Sequence, residues 1–290
     1  MARNALRRLA SVGLLCCLTA AHAASPVWAI RGEHNTVYLA GSVHLLKATD
    51  AALPPAFDRA YRGSHQLVME LAMDKVDPTA AAGWMMEHGM LPAGKSLRSI
   101  LGEERYRRVT AAAARLNVPA EALEQFAPWV VGLTLLEMQY MQLGFDAQSG
   151  VEQQLQQRAQ QDGKTISGLE TLDQQLGVLQ TMPYPAQARF LDMIVSDMQT
   201  VESDTQAVIS AWQRGDTARL AALLSEEYQS FPSLYHLLVS DRNRNWLPQI
   251  ERLLHGNEDC FVVVGALHLV GDGGLLELVR HDGYQVENLN

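Results

Sequence analysis

Cysteine is scarce in this sequence: there are three in 290 residues, and Cys16 and Cys17 lie close to the N-terminus. If that end is removed, Cys260 alone remains, no internal disulfide can form, and the core must hold itself together. The sequence contains neither an H-E-x-x-H pair nor a G-x-S-x-G turn. Those absences exclude an ordinary zincin and an α/β-hydrolase nucleophile elbow. Beyond the N-terminal segment, no apolar run is long enough to cross a bilayer. Positive charge is also short, with 23 basic against 32 acidic residues, which argues against a nucleic-acid partner.

The N-terminus has the order of a processing segment. Arg3, Arg7 and Arg8 precede an apolar run over residues 9–20, and Ala21-His22-Ala23 follows as an A-x-A cleavage site. The pattern predicts a signal peptide over residues 1–23 and an exported mature chain over 24–290, periplasmic in a Gram-negative source. Neither Cys16 nor Cys17 follows the small residue of a lipoprotein signal. Cleavage removes three arginines and leaves 20 basic against 32 acidic residues, a formal charge of −12. A mature chain of this length can bury a large core as a single domain carrying an insertion.

Near the C-terminus, Cys260-Phe-Val-Val-Val-Gly265 reads as a short buried strand, too short and too β-branched for a helix. Three residues beyond its last glycine stands His268, and a helical pattern begins at Leu275 behind Gly273 and Gly274. The same grammar occurs upstream, where a strand over residues 36–40 leads into Gly41-Ser-Val-His44-Leu. Ligands collect beyond the carboxyl ends of strands in open α/β sheets, so both histidines stand where chemistry is expected.

Between them, residues 26–31 and 36–40 suggest two strands joined at Gly32-Glu-His-Asn35, and residues 53–61 a helix with proline in its first turn. Gln66-Leu-Val-Met-Glu70-Leu is a strand ending in a carboxylate, and Lys164-Thr-Ile-Ser-Gly-Leu-Glu170 is another. From Pro78 onward the pattern is mainly helical. Trp129, Leu133, Leu136, Tyr140 and Leu143 form a helical core stripe, and Val151, Leu155 and Ala159 are the inward face of a helix over 151–161. Helices are further predicted over 172–181, 186–200, 203–213, 217–229 and 242–254, and a last strand over 284–287. Strands at both ends with helices between predict an α/β fold: a mixed central sheet assembled from N- and C-terminal strands, with a large helical insertion at about residues 78–255. That arrangement brings His44 and His268 to one edge of the sheet.

His44, Glu70 and His268 are therefore the candidate site. Two imidazoles and a carboxylate suit a divalent transition metal with open positions, able to activate water for hydrolysis. The structural alternative is that the histidines hydrogen-bond within turns and Glu70 is a strand end. Gly89-Met-Leu-Pro-Ala-Gly94-Lys95-Ser96 fits the Walker A expression, but a helical segment precedes it where a phosphate loop needs a strand. It is read as a helix end and loop. Cys260 is read as a small core residue.

Gly41-Ser-Val-His44-Leu-Leu, Leu67-Val-Met-Glu70-Leu, Phe145-Asp146-x-x-x-Gly150-Val-Glu152, Gly168-Leu-Glu170, Arg242-Asn243-x-x-Trp246 and Gly265-Ala-Leu-His268-Leu-x-Gly271-x-x-Gly274-Leu, taken as an ordered set, resemble the TraB/GumN family. That family is related to the Tiki metalloproteases and, more distantly, to the erythromycin-esterase/ChaN-like fold. The resemblance covers nearly the whole mature chain. It implies a metal-dependent hydrolase, a peptidase acting on a peptide or small-molecule substrate, with manganese, cobalt, iron or zinc held by His44, Glu70 and His268.

A second tier follows from the recurrent motifs. Glu170 is the carboxylate expected to assist proton transfer and Arg242 the cation expected to hold an oxyanion or a substrate carboxylate. Asp146, Glu152 and Asn243 are further pocket candidates. Each has a structural alternative: Asp146 caps a turn, Glu152 completes a Ser149–Glu152 capping box, and Arg242 and Asn243 tie a helix to its neighbour. Two other functions remain open: a metal-free, esterase-like hydrolase with His44 or His268 as general base, and a non-catalytic haem- or peptide-binding regulatory protein.

Overall fold

A computed structural model describes residues 25–229 and 231–289; the expected signal peptide, with Cys16 and Cys17, lies outside them. The strands are β1 (Val27–Arg31), β2 (Thr36–Ser42), β3 (Gln66–Met69), β4 (Thr165–Gly168), β5 (Cys260–Gly265) and β6 (Val286–Asn288). They form one mixed sheet in the order β4-β3-β5-β2-β1-β6. The fold is α/β, as expected, and both ends of the sequence contribute to the sheet.

β1 and β2 form the predicted antiparallel hairpin, closed by Gly32 N–H donating to the Asn35 carbonyl at 3.0 Å. β5 lies parallel between β2 and β3, and β3 lies parallel to β4. Every residue of β5 is buried, which explains its continuous Phe-Val-Val-Val run: a central strand covered on both faces cannot alternate apolar with polar. Ala40, Val263, Met69 and Gly168 pair into one row across the four parallel strands. Their carboxyl ends therefore share one sheet edge.

The helices are α1 (Pro55–Gly63), α2 (Pro78–Gly89), α3 (Leu97–Arg115), α4 (Ala120–Leu123), α5 (Pro128–Gln142), α6 (Val151–Gln161), α7 (Leu172–Gln180), α8 (Tyr184–Asp197), α9 (Val201–Gln213), α10 (Thr217–Tyr228), α11 (Pro232–Tyr235), α12 (Asp241–Leu254) and α13 (Leu275–His281). A π-turn over His236–Ser240 joins α11 to α12. Among the described residues no helix is long and apolar enough to cross a membrane.

The sheet core is built from the β5 valines with Phe57, Phe261, Trp212 and Trp246, and with Val151, Leu155 and Ala159 of α6. The inward face of α6 is thus as predicted. The α5 stripe is divided. Its N-terminal half packs away from the sheet, where Trp129, Leu133 and Leu136 join Leu91, Phe190 and Leu234. Tyr140 and Leu143 reach the sheet core. The helical segments therefore carry hydrophobic clusters of their own. The Walker-like stretch does follow a helix, α2, and Ser96 caps α3 by accepting from Ser99 N–H at 3.1 Å.

Candidate functional site

The shared edge of the four parallel strands collects the strand-end residues. Glu70 follows β3 directly, His44 and Glu170 each stand two residues past β2 and β4, and His268 stands three past β5. A Cβ placed on Gly265 would lie 3.3 Å from His44 Nε2, 3.3 Å from Glu70 Oε1 and 3.5 Å from His268 Cδ2. One point thus touches all three candidates, and a side chain there would fill it, which is a reason for glycine at the end of β5.

Glu70 is 6 % exposed. Its Oε1 accepts from Gly265 N–H at 2.7 Å, and its Oε2 accepts from Arg242 Nη2 at 2.5 Å and Gln175 Nε2 at 3.2 Å. Burial pushes its pKa up, but the positive charges at His268, Arg242 and His44 and the Gly265 hydrogen bond outweigh it and hold the carboxyl at about 2. Glu70 is a carboxylate at neutral pH.

Arg242, on the first turn of α12, uses all five N–H donors within the protein. Nη1 donates to the Leu238 carbonyl at 3.1 Å and to His268 Nε2 at 3.1 Å. Nη2 reaches Glu70 and Glu170, and Nε reaches Glu170 Oε2 at 3.3 Å. Glu170 is saturated too. It accepts from Arg242 and Gln175 on one oxygen, and from Arg242 and Trp246 Nε1 on the other. Neither residue keeps a free polar atom for substrate in this arrangement, so the roles expected of them, oxyanion donor and proton carrier, give way to positioning. Glu170 anchors Arg242, and Arg242 anchors Glu70 and His268.

Asn243 fixes His268. Its Nδ2 donates to the carbonyls of His268 and Gly273, at 3.0 and 2.9 Å. Its Oδ1, an acceptor only, therefore faces His268 Nδ1 at 2.8 Å, and the hydrogen-bond pattern places the imidazole proton there. The lone pair of Nε2 then accepts from Arg242. Burial, together with the nearby positive charge of Arg242 and His44, lowers the His268 pKa to about 3 against the opposing pull of Glu70. His268 is neutral, and its ring lies against Trp246 with centroids 4.6 Å apart.

His44 is different. Its side chain is ringed by protein yet 61 % exposed, and Nδ1 lies 2.6 Å from Glu152 Oε1. The charge of Glu152 is the main cause that raises the His44 pKa to about 9, against desolvation and with further help from the Glu152 hydrogen bond. Ser42 Oγ donates to the same Glu152 oxygen. The Ser149–Glu152 capping box does not form: Gly150 is the N-cap of α6 and makes no side-chain cap. Glu152 is held by His44 instead. Asp146 does cap a turn, accepting from Gln148 N–H at 2.8 Å, and is exposed; it makes no contact with the histidines.

His44, Glu70, Glu152, Glu170, Arg242, Asn243 and His268 are thus linked, while Asp146 is not. Gln175 and Ser42 belong to the same network and were not anticipated. Ser42 lies inside the Gly-x-x-His motif, but nothing in the spacing marks Gln175, one α7 turn beyond Glu170.

The donor types suit a divalent metal, and both histidines are oriented through Nδ1 as metal-bound imidazoles commonly are. The arrangement does not suit a three-ligand ion. His268 Nε2 and Glu70 Oε2 both face the Arg242 guanidinium, whose charge opposes a dication in that position. Among the described residues no three His, Cys, Asp or Glu side chains are grouped to hold a metal ion. Two free atoms face the pocket, His44 Nε2 and Glu70 Oε1.

The fold and this edge define an α/β protein with strand-end histidines and carboxylates gathered at the end of a mixed sheet. The chain belongs to the TraB/PrgY/gumN family, whose model matches residues 26–288. It is similar to the uncharacterized protein YbaP of Escherichia coli (strain K12), 25 % identical over 268 residues that span 88 % of this chain and 97 % of that one. The YbaP protein of Shigella flexneri matches with the same identity and coverage. No solved structure matches significantly.

Proposed function

We propose that the chain is a hydrolase of peptide or amide bonds whose attacking water is held between His44 Nε2 and Glu70 Oε1. The observation that supports this most is the Glu152–His44 pair, with one imidazole nitrogen on a carboxylate and the other free beside Glu70. In hydrolases that use histidine as base, a carboxylate on Nδ1 orients the ring and stabilises the imidazolium formed when Nε2 takes a proton. The raised pKa of His44 expresses that stabilisation. Glu70, ionised and fixed by Arg242, accepts the second hydrogen bond of the water and orients it for attack. Neutral His268 and the saturated Glu170 keep Arg242, and through it Glu70, in place. A cavity of about 210 Å³ lined by Leu224, Tyr228, Tyr235 and Gly271 reaches the turn three residues past His268 and is suited to an apolar substrate side chain.

Metal-dependent hydrolysis is the second reading. The shared approach of His44 Nε2 and Glu70 Oε1 to one point favours it, with manganese, cobalt, iron or zinc as the ion, and the hold of Arg242 on His268 Nε2 opposes it. Metal analysis of the purified wild type, His44→Ala and Glu70→Ala proteins separates the two. A stoichiometric metal in the wild type that both variants lose supports the second reading, and a metal-free, active wild type supports the first. A peptide-library assay tests hydrolysis itself. Cleavage should vanish in His44→Ala; wild-type cleavage by that variant would sink the assignment. The basic, apolar, A-x-A start of the sequence supports export as the setting of this activity.

A further inference from the structure

Away from the strand ends, a cavity of about 360 Å³ lies between α2, α5 and the loop joining α7 to α8, lined by Met90, Trp129, Gln180, Met182, Tyr184 and Gln187 among others. Its size is that of a small-ligand site. Trp129 is fully buried and Gln187 is 3 % exposed. Trp129 Nε1 and Gln187 Oε1 are both buried and make no hydrogen bond with any protein group. The orientation of the Gln187 amide is fixed, because its Nε2 donates to the Met182 carbonyl at 2.8 Å; Oε1 is therefore the end left over. One wall thus carries an unused donor, another an unused acceptor, in a chain where most buried polar groups are paired.

The rest of the lining narrows what would satisfy them. Met90, Met182, Pro183 and Tyr184 are apolar surfaces, and Glu87 is the one carboxylate among the lining residues, with no lysine or arginine to attract an anion. Met90 and its neighbour in α2, Met86, are 42 % and 51 % exposed. Flexible, polarisable methionines at a rim adapt to apolar side chains. We propose that this cavity is a second ligand site, separate from the histidine pocket, that takes an uncharged secondary amide bearing an apolar side chain, the unit of a peptide backbone. The amide carbonyl accepts from Trp129 Nε1 and its N–H donates to Gln187 Oε1. α7 joins the two regions: Gln175 reaches Glu70 and Glu170, while Gln180, five residues on, lines the cavity. The inference goes beyond the hydrolase reading and does not depend on it.

The test is calorimetric titration of the full chain with N-acetyl-L-leucine N-methylamide and with the matching methyl ester, which lacks the N–H. The amide should bind saturably, one per chain, at about millimolar affinity for so small a probe, and the ester about fivefold more weakly. Trp129→Phe and Gln187→Met should each weaken the amide by a similar factor, and His44→Ala should leave it unchanged. Absence of saturable binding, equal binding of amide and ester, or loss of binding in His44→Ala would overturn the proposal. Filling of both polar atoms by ordered water, with no amide bound in co-crystals, would do the same. The ester comparison uses the unaltered protein and so does not depend on how the variants fold.

Discussion

His44 Nδ1 stands 2.6 Å from Glu152 Oε1, so the one exposed histidine of the site is held by a carboxylate more than a hundred residues away in sequence. Replacing Glu152 by glutamine removes the charge but keeps a hydrogen-bonding oxygen. The His44 pKa should fall from about 9 toward its ordinary 6.5, as read by NMR titration of the imidazole. Because the folded-state value is the higher one, the stability this pair adds is fully present below about pH 6.5 and is lost as pH rises through about 9. In Glu152→Gln that alkaline loss should disappear, and any pH–rate profile should shift to lower pH. An unmoved His44 titration would refute the pairing.

Arg242 sits between two buried carboxylates, Glu70 and Glu170, at 2.5 and 2.6 Å. Arg242→Met should cost roughly 3–5 kcal/mol at neutral pH, since it strands both charges. The pH dependence should also reverse. In the wild type Glu70, held at about 2, adds stability above its unfolded value near 4.5 that is lost as pH falls through about 2. Without the guanidinium, burial raises the carboxyls, so the variant gains stability as pH falls from 8 to 5. Urea unfolding at the two pH values measures it, and parallel behaviour of variant and wild type would contradict the arrangement.

Glycine replacements separate close approach from open helix. A Cβ on Gly150 would overlap the His44 carbonyl oxygen and stand 2.8 Å from its carbon. Gly150→Ala should therefore cost about 1–3 kcal/mol and displace His44. Gly83, in α2, has nothing within 4 Å of its added Cβ, so Gly83→Ala should be stabilising by roughly 0.5–1 kcal/mol. Thermal unfolding of the two variants checks both signs.

Much of this edge was legible because strand ends are one-dimensional features: a β-branched run followed at fixed distance by His or Glu locates His44, Glu70, Glu170 and His268. What lies opposite them is not one-dimensional. Arg242 and Asn243 enter from a helix, and their motif resemblance named them without fixing what they touch. Gln175 had no local mark. Glu152 was ambiguous because Ser149-x-x-Glu152 suits a cap as well as a pocket. Gly150 decides it: its backbone passes so close to His44 that it takes the cap position and frees the carboxylate.

Asn243 is fully buried and serves His268 at both backbone and ring. Asn243→Ala should destabilise by about 1–3 kcal/mol through the carbonyls of His268 and Gly273 it leaves unpaired. Nitrogen-15 spectra of His268 should show the loss of its single tautomer. An unchanged Nδ1–H signature in that variant would remove Asn243 from the positioning role.

The central claim is that a water between His44 and Glu70 is activated by the imidazole, and peptide turnover by exhaustively chelated protein tests it most directly. Cleavage should persist without metal, fall by about 10²–10⁴ in His44→Ala, and change little when manganese, cobalt, iron or zinc is restored. Cleavage that is absent after chelation and returns with one of those ions would contradict the account.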